Sequence, residues 1–132
     1  MTDPRPDATL PRPEATIRRF SQLLAEGDLD GMMELYEPDA AFAPQPGQTV
    51  TGQAEIRAAL GGFLAVKPRM EGTIEKVLEA GDTALVANRW ELSGTAPDGS
   101  PVRMAGTSAD VLRRRADGSW GIVIDDPWGA AA

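Results

Sequence analysis

Asp110 and Asp125 are the two residues of this chain whose type and spacing could do chemistry. Asp117-Gly118 is a strong two-residue turn signal between two β-type runs, at about 101–115 and 119–127. With that dipeptide at the centre of the turn, Ala116 pairs with Ser119, Arg115 faces Trp120, Leu112 faces Val123 and Asp110 faces Asp125. A four-residue loop keeps this register, whereas a three-residue loop shifts it by one and sends the carboxylates to opposite faces. Two carboxylates opposed in a partly dry hollow cannot both ionise easily near neutrality, so they titrate as one coupled unit with a proton retained. A carboxyl kept protonated can donate to a substrate carbonyl or act as a general acid, with its partner as base. The plainer reading is that Asp125 or Asp126 bonds backbone near Pro127 and Asp110 pairs with an Arg.

In this register Ser108, Asp110, Leu112, Val123 and Asp125 share one face. Ala109, Val111, Arg113, Trp120, Ile122 and Ile124 share the other. With helices over the first face, Val111, Trp120, Ile122 and Ile124 form an exposed apolar patch, and a homodimer through the outer sheet face covers it. With helices over the second face, the aspartates point to solvent instead.

The rest of the inventory narrows the chemistry. The chain has 132 residues with no Cys and no His, which excludes thiolate and disulfide chemistry, the imidazole base and the usual zinc ligand sets. Neither a metal site nor a cofactor is expected, and no Gly-x-Gly-x-x-Gly is present to cradle a dinucleotide. Twenty acidic against 13 basic residues give a net charge of −7, which argues against nucleic acid or an anionic membrane as partner. Arg113-Arg114-Arg115 alternate faces on a strand and are expected to meet acidic neighbours. Without a long apolar run or an apolar signal core, the chain reads as soluble and cytoplasmic.

The elements that must position the acids follow from spacing. Residues 1–13, with four prolines, read as a disordered tail, and residues 14–129 as one domain. A helix is predicted from Glu14 to Glu26, with Ile17, Phe20, Leu23 and Leu24 inward and Gly27 as its cap. Asp28 caps a second helix with an apolar face of Leu29, Met32, Met33 and Tyr36, ended by Pro38. A short strand at Ala40–Ala43 and a turn at Pro44–Gly47 precede a third helix from Thr51 or Gly52. Four β-type segments follow, at about 69–80, 83–95, 101–115 and 119–127. Helices first and strands second define an α+β chain, with the helices on one face of an antiparallel sheet.

Candidate ligand contacts come from the inward positions. Phe20, Tyr36, Phe42 and Trp90 are the aromatic candidates. In the strand 83–95, Ala84, Val86, Asn88, Trp90 and Leu92 share a face, so Asn88 brings an amide there, either as a satisfied core group or as a ligand contact. Met104, Leu112 and Val123 complete the wall, the methionine as sheet-face filler. Tyr36 carries the only phenol, and a tyrosine at a helix end commonly sends its hydroxyl to the surface.

The run Leu24-Ala25-Glu26-Gly27-Asp28-Leu29-Asp30-Gly31, followed by Leu35-Tyr36-Glu37-Pro38-Asp39-Ala40, resembles the first two helices of the nuclear transport factor 2-like superfamily. The Gly52…Ile56-Arg57 helix and the ending Asp110-Val111-Leu112-Arg113-Arg114…Asp125-Asp126-Pro127-Trp128-Gly129 resemble its SgcJ/EcaC subgroup more closely. The resemblance implies a cystatin-like cone, a curved sheet wrapped around three helices with a pocket between them, and dimerisation through the outer sheet face. Set against the ketosteroid isomerases of this superfamily, Asp110 falls on their protonated acid, Phe20 on their oxyanion tyrosine and Pro44 or Ala43 on their base. Neither Phe20 nor Pro44 can perform those tasks, and Asp125 stands where the isomerases carry a small apolar residue. Polyketide cyclases of the superfamily depend on a sheet aspartate, a role open to Asp110 or Asp125. The Asp-Arg-Asp relay of the epoxide hydrolases is matched in type by Arg103, whose parity against Asp110 points it to the other face.

The expectation is a pocket protein for a small apolar or polycyclic molecule, with acid–base chemistry of isomerase, cyclase or hydratase type. The alternative is a non-catalytic ligand-binding or association module.

Overall fold

The computed structural model describes residues 11–129. Of the tail expected over 1–13, only Pro11, Arg12 and Pro13 fall within the described residues, and Pro13 is buried as the opening residue of helix α1 (Pro13–Glu26). Its missing N–H is no loss in a first helical turn. Gly27, at φ 71, ends α1: its N–H reaches the Leu24 carbonyl at 3.1 Å and Asp28 N–H reaches Leu23 at 3.0 Å. Asp28 caps α2 (Leu29–Glu34), accepting from Gly31 N–H at 2.9 Å.

Six strands complete the chain around α3 (Gly52–Leu64). They are β1 (Tyr36–Gln45), β2 (Gln48–Thr51), β3 (Arg69–Ala80), β4 (Thr83–Thr95), β5 (Pro101–Arg114) and β6 (Trp120–Asp126). They form one curled, unclosed sheet in the order β2-β1-β6-β5-β4-β3. The sheet is not wholly antiparallel, because β1 and β6 run parallel. Helix α1 packs on β3, β4 and β6, and α3 on β1 and β2, so the helices fill the concave side. The expected α+β cone is the observed architecture.

Tyr36 belongs to β1 and not to the second helix. The helix stops at Glu34, and the Leu35 carbonyl is taken by Ile122 N–H at 2.7 Å, which pulls the chain straight into pairing with β6. Pro38 has no N–H to donate, and the β1–β6 register shifts between Tyr36 and Ala41.

The β5–β6 hairpin differs from expectation twice, and the differences cancel at the acids. Arg115 N–H bonds the Ser119 carbonyl at 2.7 Å, so the loop is the three-residue Ala116-Asp117-Gly118, with Gly118 at φ 88. This shifts the register by one: Trp120 faces Arg114, Gly121 faces Arg113 and Ile122 faces Leu112. A bulge at Val123 then restores it, and Val111 faces Ile124 and Asp110 faces Asp125. Trp120 and Ile122 therefore point inward, each 1 % exposed, and are core rather than outer patch. Burial of these two large side chains is the physical gain from the shifted loop.

What remains apolar outside is one row across four strands. Leu78, Leu85, Val111 and Ile124 are successive cross-strand partners. Leu78 and Ile124 are 55 % and 44 % exposed, the large hydrophobics most open to water among the described residues. The three arginines meet acids as expected: Arg115 and Arg113 approach Glu37, while Arg114 approaches Glu79 and Asp82 and lies 4.5 Å over the Trp120 ring.

Candidate functional site

A cavity of about 70 Å³ lies between α1, α3 and the concave sheet face. Alternation along β4 aims Asn88, Trp90 and Leu92 at it, and the same parity on β5 brings Met104, Ser108 and Asp110. Phe20 from α1, Phe42 from β1 and Phe63 from α3 close the sides. Pockets that hold drug-sized ligands run to roughly 300–1,000 Å³, so this partly open pocket takes a much smaller molecule.

At one wall stand the two acids. Asp110 and Asp125 are both buried, line the cavity and face each other across β5 and β6. Ser108 Oγ donates to Asp110 Oδ2 at 3.1 Å, and Asp126 N–H donates to Asp110 Oδ1 at 3.2 Å. Tyr36 Oη donates to Asp125 Oδ2 at 2.5 Å. Burial, the neighbouring Asp125 charge and the bond to Asp125 push Asp110 well above the ordinary carboxylate range, against the pull of Ser108 and Asp126. Asp125 is raised by burial, while the bonds from Tyr36 and Asp110 oppose the rise. The two acids therefore titrate as one coupled unit above the ordinary carboxylate range, and Tyr36 donates to the Asp125 side of it. Burial, and then the Asp125 charge, hold the Tyr36 phenol well above its usual value, so it stays a donor.

Seven of the expected site residues line the cavity: Phe20, Phe42, Asn88, Trp90, Met104, Asp110 and Asp125. Three do not. Leu112 is fully buried core beside Ile122, and Val123 is the extra residue of the bulge. Tyr36 stands behind Asp125, its hydroxyl buried rather than sent to the surface. Its link to Asp125 depends on the parallel β1–β6 pairing, which sequence spacing did not reveal.

Trp128 is an aromatic lining residue that sequence reasoning missed, and Ile122, expected on the outer face, lines the cavity as well. Trp128 follows β6 in a turn whose Pro127 carbonyl accepts from Trp90 Nε1 at 2.7 Å, and the two indoles meet edge to face at 5.4 Å. Gly106 makes room for this strap, since a Cβ there would lie 3.1 Å from both the Trp90 ring and the Pro127 oxygen. A signal was available in the ending Asp126-Pro127-Trp128-Gly129, a turn dipeptide pair flanking an indole. Among the described residues, no group of three His, Cys, Asp or Glu is gathered as metal ligands.

A curled sheet wrapped around three helices is the fold of the nuclear transport factor 2-like class. The SnoaL-like domain family matches residues 17–121, and the chain belongs to that family. A ketosteroid isomerase-like protein from Erwinia carotovora atroseptica is 22% identical, with 90% of this chain and 94% of that one covered and a TM-score of 0.76. A proposed dehydratase of the same superfamily from Streptomyces avermitilis is 19% identical, with the same coverages of 90% and 94% and a TM-score of 0.76. A proposed calcium/calmodulin-dependent protein kinase II association domain from Xanthomonas campestris is 23% identical, with 96% and 95% covered and a TM-score of 0.72. At these identities the likeness is one of fold. No curated protein matches the sequence.

Proposed function

We propose that the cavity takes a small, mostly apolar molecule with one polar group, and that Asp110 and Asp125 act on it by acid–base catalysis of isomerase, cyclase or hydratase type. The observation that carries this reading is the buried acid pair facing an otherwise apolar, aromatic hollow. Asp110 gives its proton to the substrate oxygen, and Asp125 takes one from the carbon beside it. Asp110 loses one proton as Asp125 gains one, giving the enol; Asp125 then delivers its proton to a second carbon while the enol hydroxyl returns one to Asp110, which restores both acids. Tyr36 holds Asp125 in place and opposes the rise of its carboxyl. A polycyclic substrate needs the mouth of the cavity to widen.

The test is deuterium exchange. Cyclopentanone in deuterated buffer is followed by proton NMR with the wild-type chain, Asp110→Asn and Asp125→Asn. Wild type speeds exchange beside the carbonyl, and each variant loses about a hundredfold or more of that rate. Equal rates for all three proteins would remove the catalytic reading.

A second reading is supported by the small size of the cavity and by the outer row of Leu78, Leu85, Val111 and Ile124. On it, the chain is a ligand-binding or association module that pairs as a homodimer through that row. The two readings are compatible, since the row and the cavity lie on opposite faces of one sheet. Placement beside the SgcJ/EcaC subgroup belongs to the same proposal, as does a cytoplasmic setting.

A further inference from the structure

We propose that the ligand of this cavity is a small organic ammonium ion, held by Asp125 and Asn88 against the aromatic walls. The proposal rests on the reading that the cavity takes a ligand, and not on turnover.

Charge is the first ground. Two carboxyl groups, Asp110 and Asp125, are buried side by side at the wall of this cavity. None of the lining residues is Lys or Arg. Every ion pair among the described residues is made by other acids. A buried charge without a counter-ion is costly, and a cation entering the cavity relieves that cost. Asp125 has acceptor capacity left, since a carboxylate offers about four lone-pair sites and Tyr36 and Asp110 use two.

Asn88 is the second, independent ground. It is 5 % exposed, projects from β4 into the cavity and makes no side-chain hydrogen bond among the described residues. Buried amides are normally bonded, so one left open at a cavity wall points to a missing partner. Gly72 on the neighbouring strand keeps the space for it, because a Cβ there would lie 2.7 Å from Asn88 Oδ1. That oxygen is an acceptor, which an ammonium N–H satisfies.

The walls are the third ground. Trp90 and Trp128 meet edge to face, Phe42 and Phe63 lie with centroids 6.4 Å apart, and Phe20 stands opposite. Aromatic faces attract cations, most strongly where water is excluded. A neutral ketone can accept from Asp110 but leaves both the Asp125 charge and the Asn88 oxygen uncompensated.

The experiment compares isobutylammonium with its neutral isostere isobutanol, and benzylammonium with benzyl alcohol, by calorimetry on the full chain and by quenching of tryptophan emission. Wild type is expected to bind each ammonium about tenfold or more tightly than its alcohol. Asp125→Asn and Asn88→Leu should each cut that preference to less than about threefold. Alcohols that bind as well as or better than the ammonium ions overturn the ammonium assignment and leave the cavity reading standing. Failure of all four probes overturns both. The wild-type comparison decides the matter even where a variant does not fold.

Discussion

The hydroxyl of Tyr36 and the carboxylate of Asp125 meet at 2.5 Å across the one parallel strand pair of the sheet. Burial raises Asp125 and the phenol opposes that rise, while Asp125 in turn helps to raise Asp110, so a residue that does not touch the cavity acts on the pair that does. In the isomerase comparison the oxyanion tyrosine falls on Phe20, which has no hydroxyl. The Phe20 ring instead lies edge-on to Tyr36 at 6.3 Å, and the phenol reaches the acids from behind.

Tyr36→Phe removes that donor with almost no change of shape. Asp125 should titrate at a higher pH than in the wild type, because one of the two bonds opposing its rise is gone. The chain should lose about 1–3 kcal/mol, the range for a hydrogen bond to a charged group. Carboxyl carbon NMR across pH and urea denaturation read the two effects.

The acid pair gives stability a definite pH slope. Both folded-state values lie above the ordinary value of about 4, so the folded chain holds more protons than the unfolded one above that pH. This contribution is full below about pH 4 and is lost as pH rises through the folded values. The groups facing the pair are Tyr36 from β1 and Asp126 from β6, while α1 and α3 present only apolar side chains and Ser21 to the cavity. Asp98 and Asp117, exposed and lowered by their serine partners, act in the opposite sense only at acid pH. Asp110→Asn should flatten the fall that sets in above about pH 4, as measured by urea midpoints; an unchanged slope would show that Asp110 titrates normally.

Deletion of Val123 tests the bulge. Without the extra residue, Leu112 still faces Ile122, Val111 still faces Ile124 and Asp110 still faces Asp125, so Trp120, Ile122 and Asp125 keep the inner face along one unbroken ladder. A folded protein with both acids still raised is the expected outcome, read by carboxyl carbon NMR across pH. A deletion whose Asp125 titrates as an exposed carboxyl would show that the bulge itself holds the pair together.

Ile124→Lys places a charge in the middle of the outer apolar row without touching the core. A homodimer through that row should dissociate, as sedimentation would show, while the monomer keeps its stability to within about 0.5 kcal/mol. An unchanged sedimentation coefficient at dimer mass would put the interface elsewhere.

Much of the architecture was legible because it is written locally. Gly81-Asp82, Asp98-Gly99 and Asp117-Gly118 punctuate the strands, and β3 and β4 fall where those dipeptides predict. In β4 the run Ala84, Val86, Asn88, Trp90 and Leu92 is buried throughout, as its alternation requires. The pairing of Asp110 with Asp125 was read correctly through a loop length that was not, because the three-residue turn and the bulge at Val123 offset each other. Where they do not offset, at Trp120 and Ile122, the reading put core residues on the outer face.

The sequence by itself determined the Gly27 and Asp28 caps, the boundaries of β3 and β4, the parity of β4 and the chemical alphabet, a chain of carboxylates and one phenol without imidazole or thiol. Those are properties of neighbours along the chain. Only the tertiary structure decided the loop length before Ser119, the insertion of Val123 and the parallel seating of β1 on β6. Each of those depends on how much apolar surface Trp120, Ile122 and Leu112 can bury together against the helices. That gain belongs to contacts between distant segments, and it is what turned Tyr36 from a surface phenol into the third member of the acid cluster.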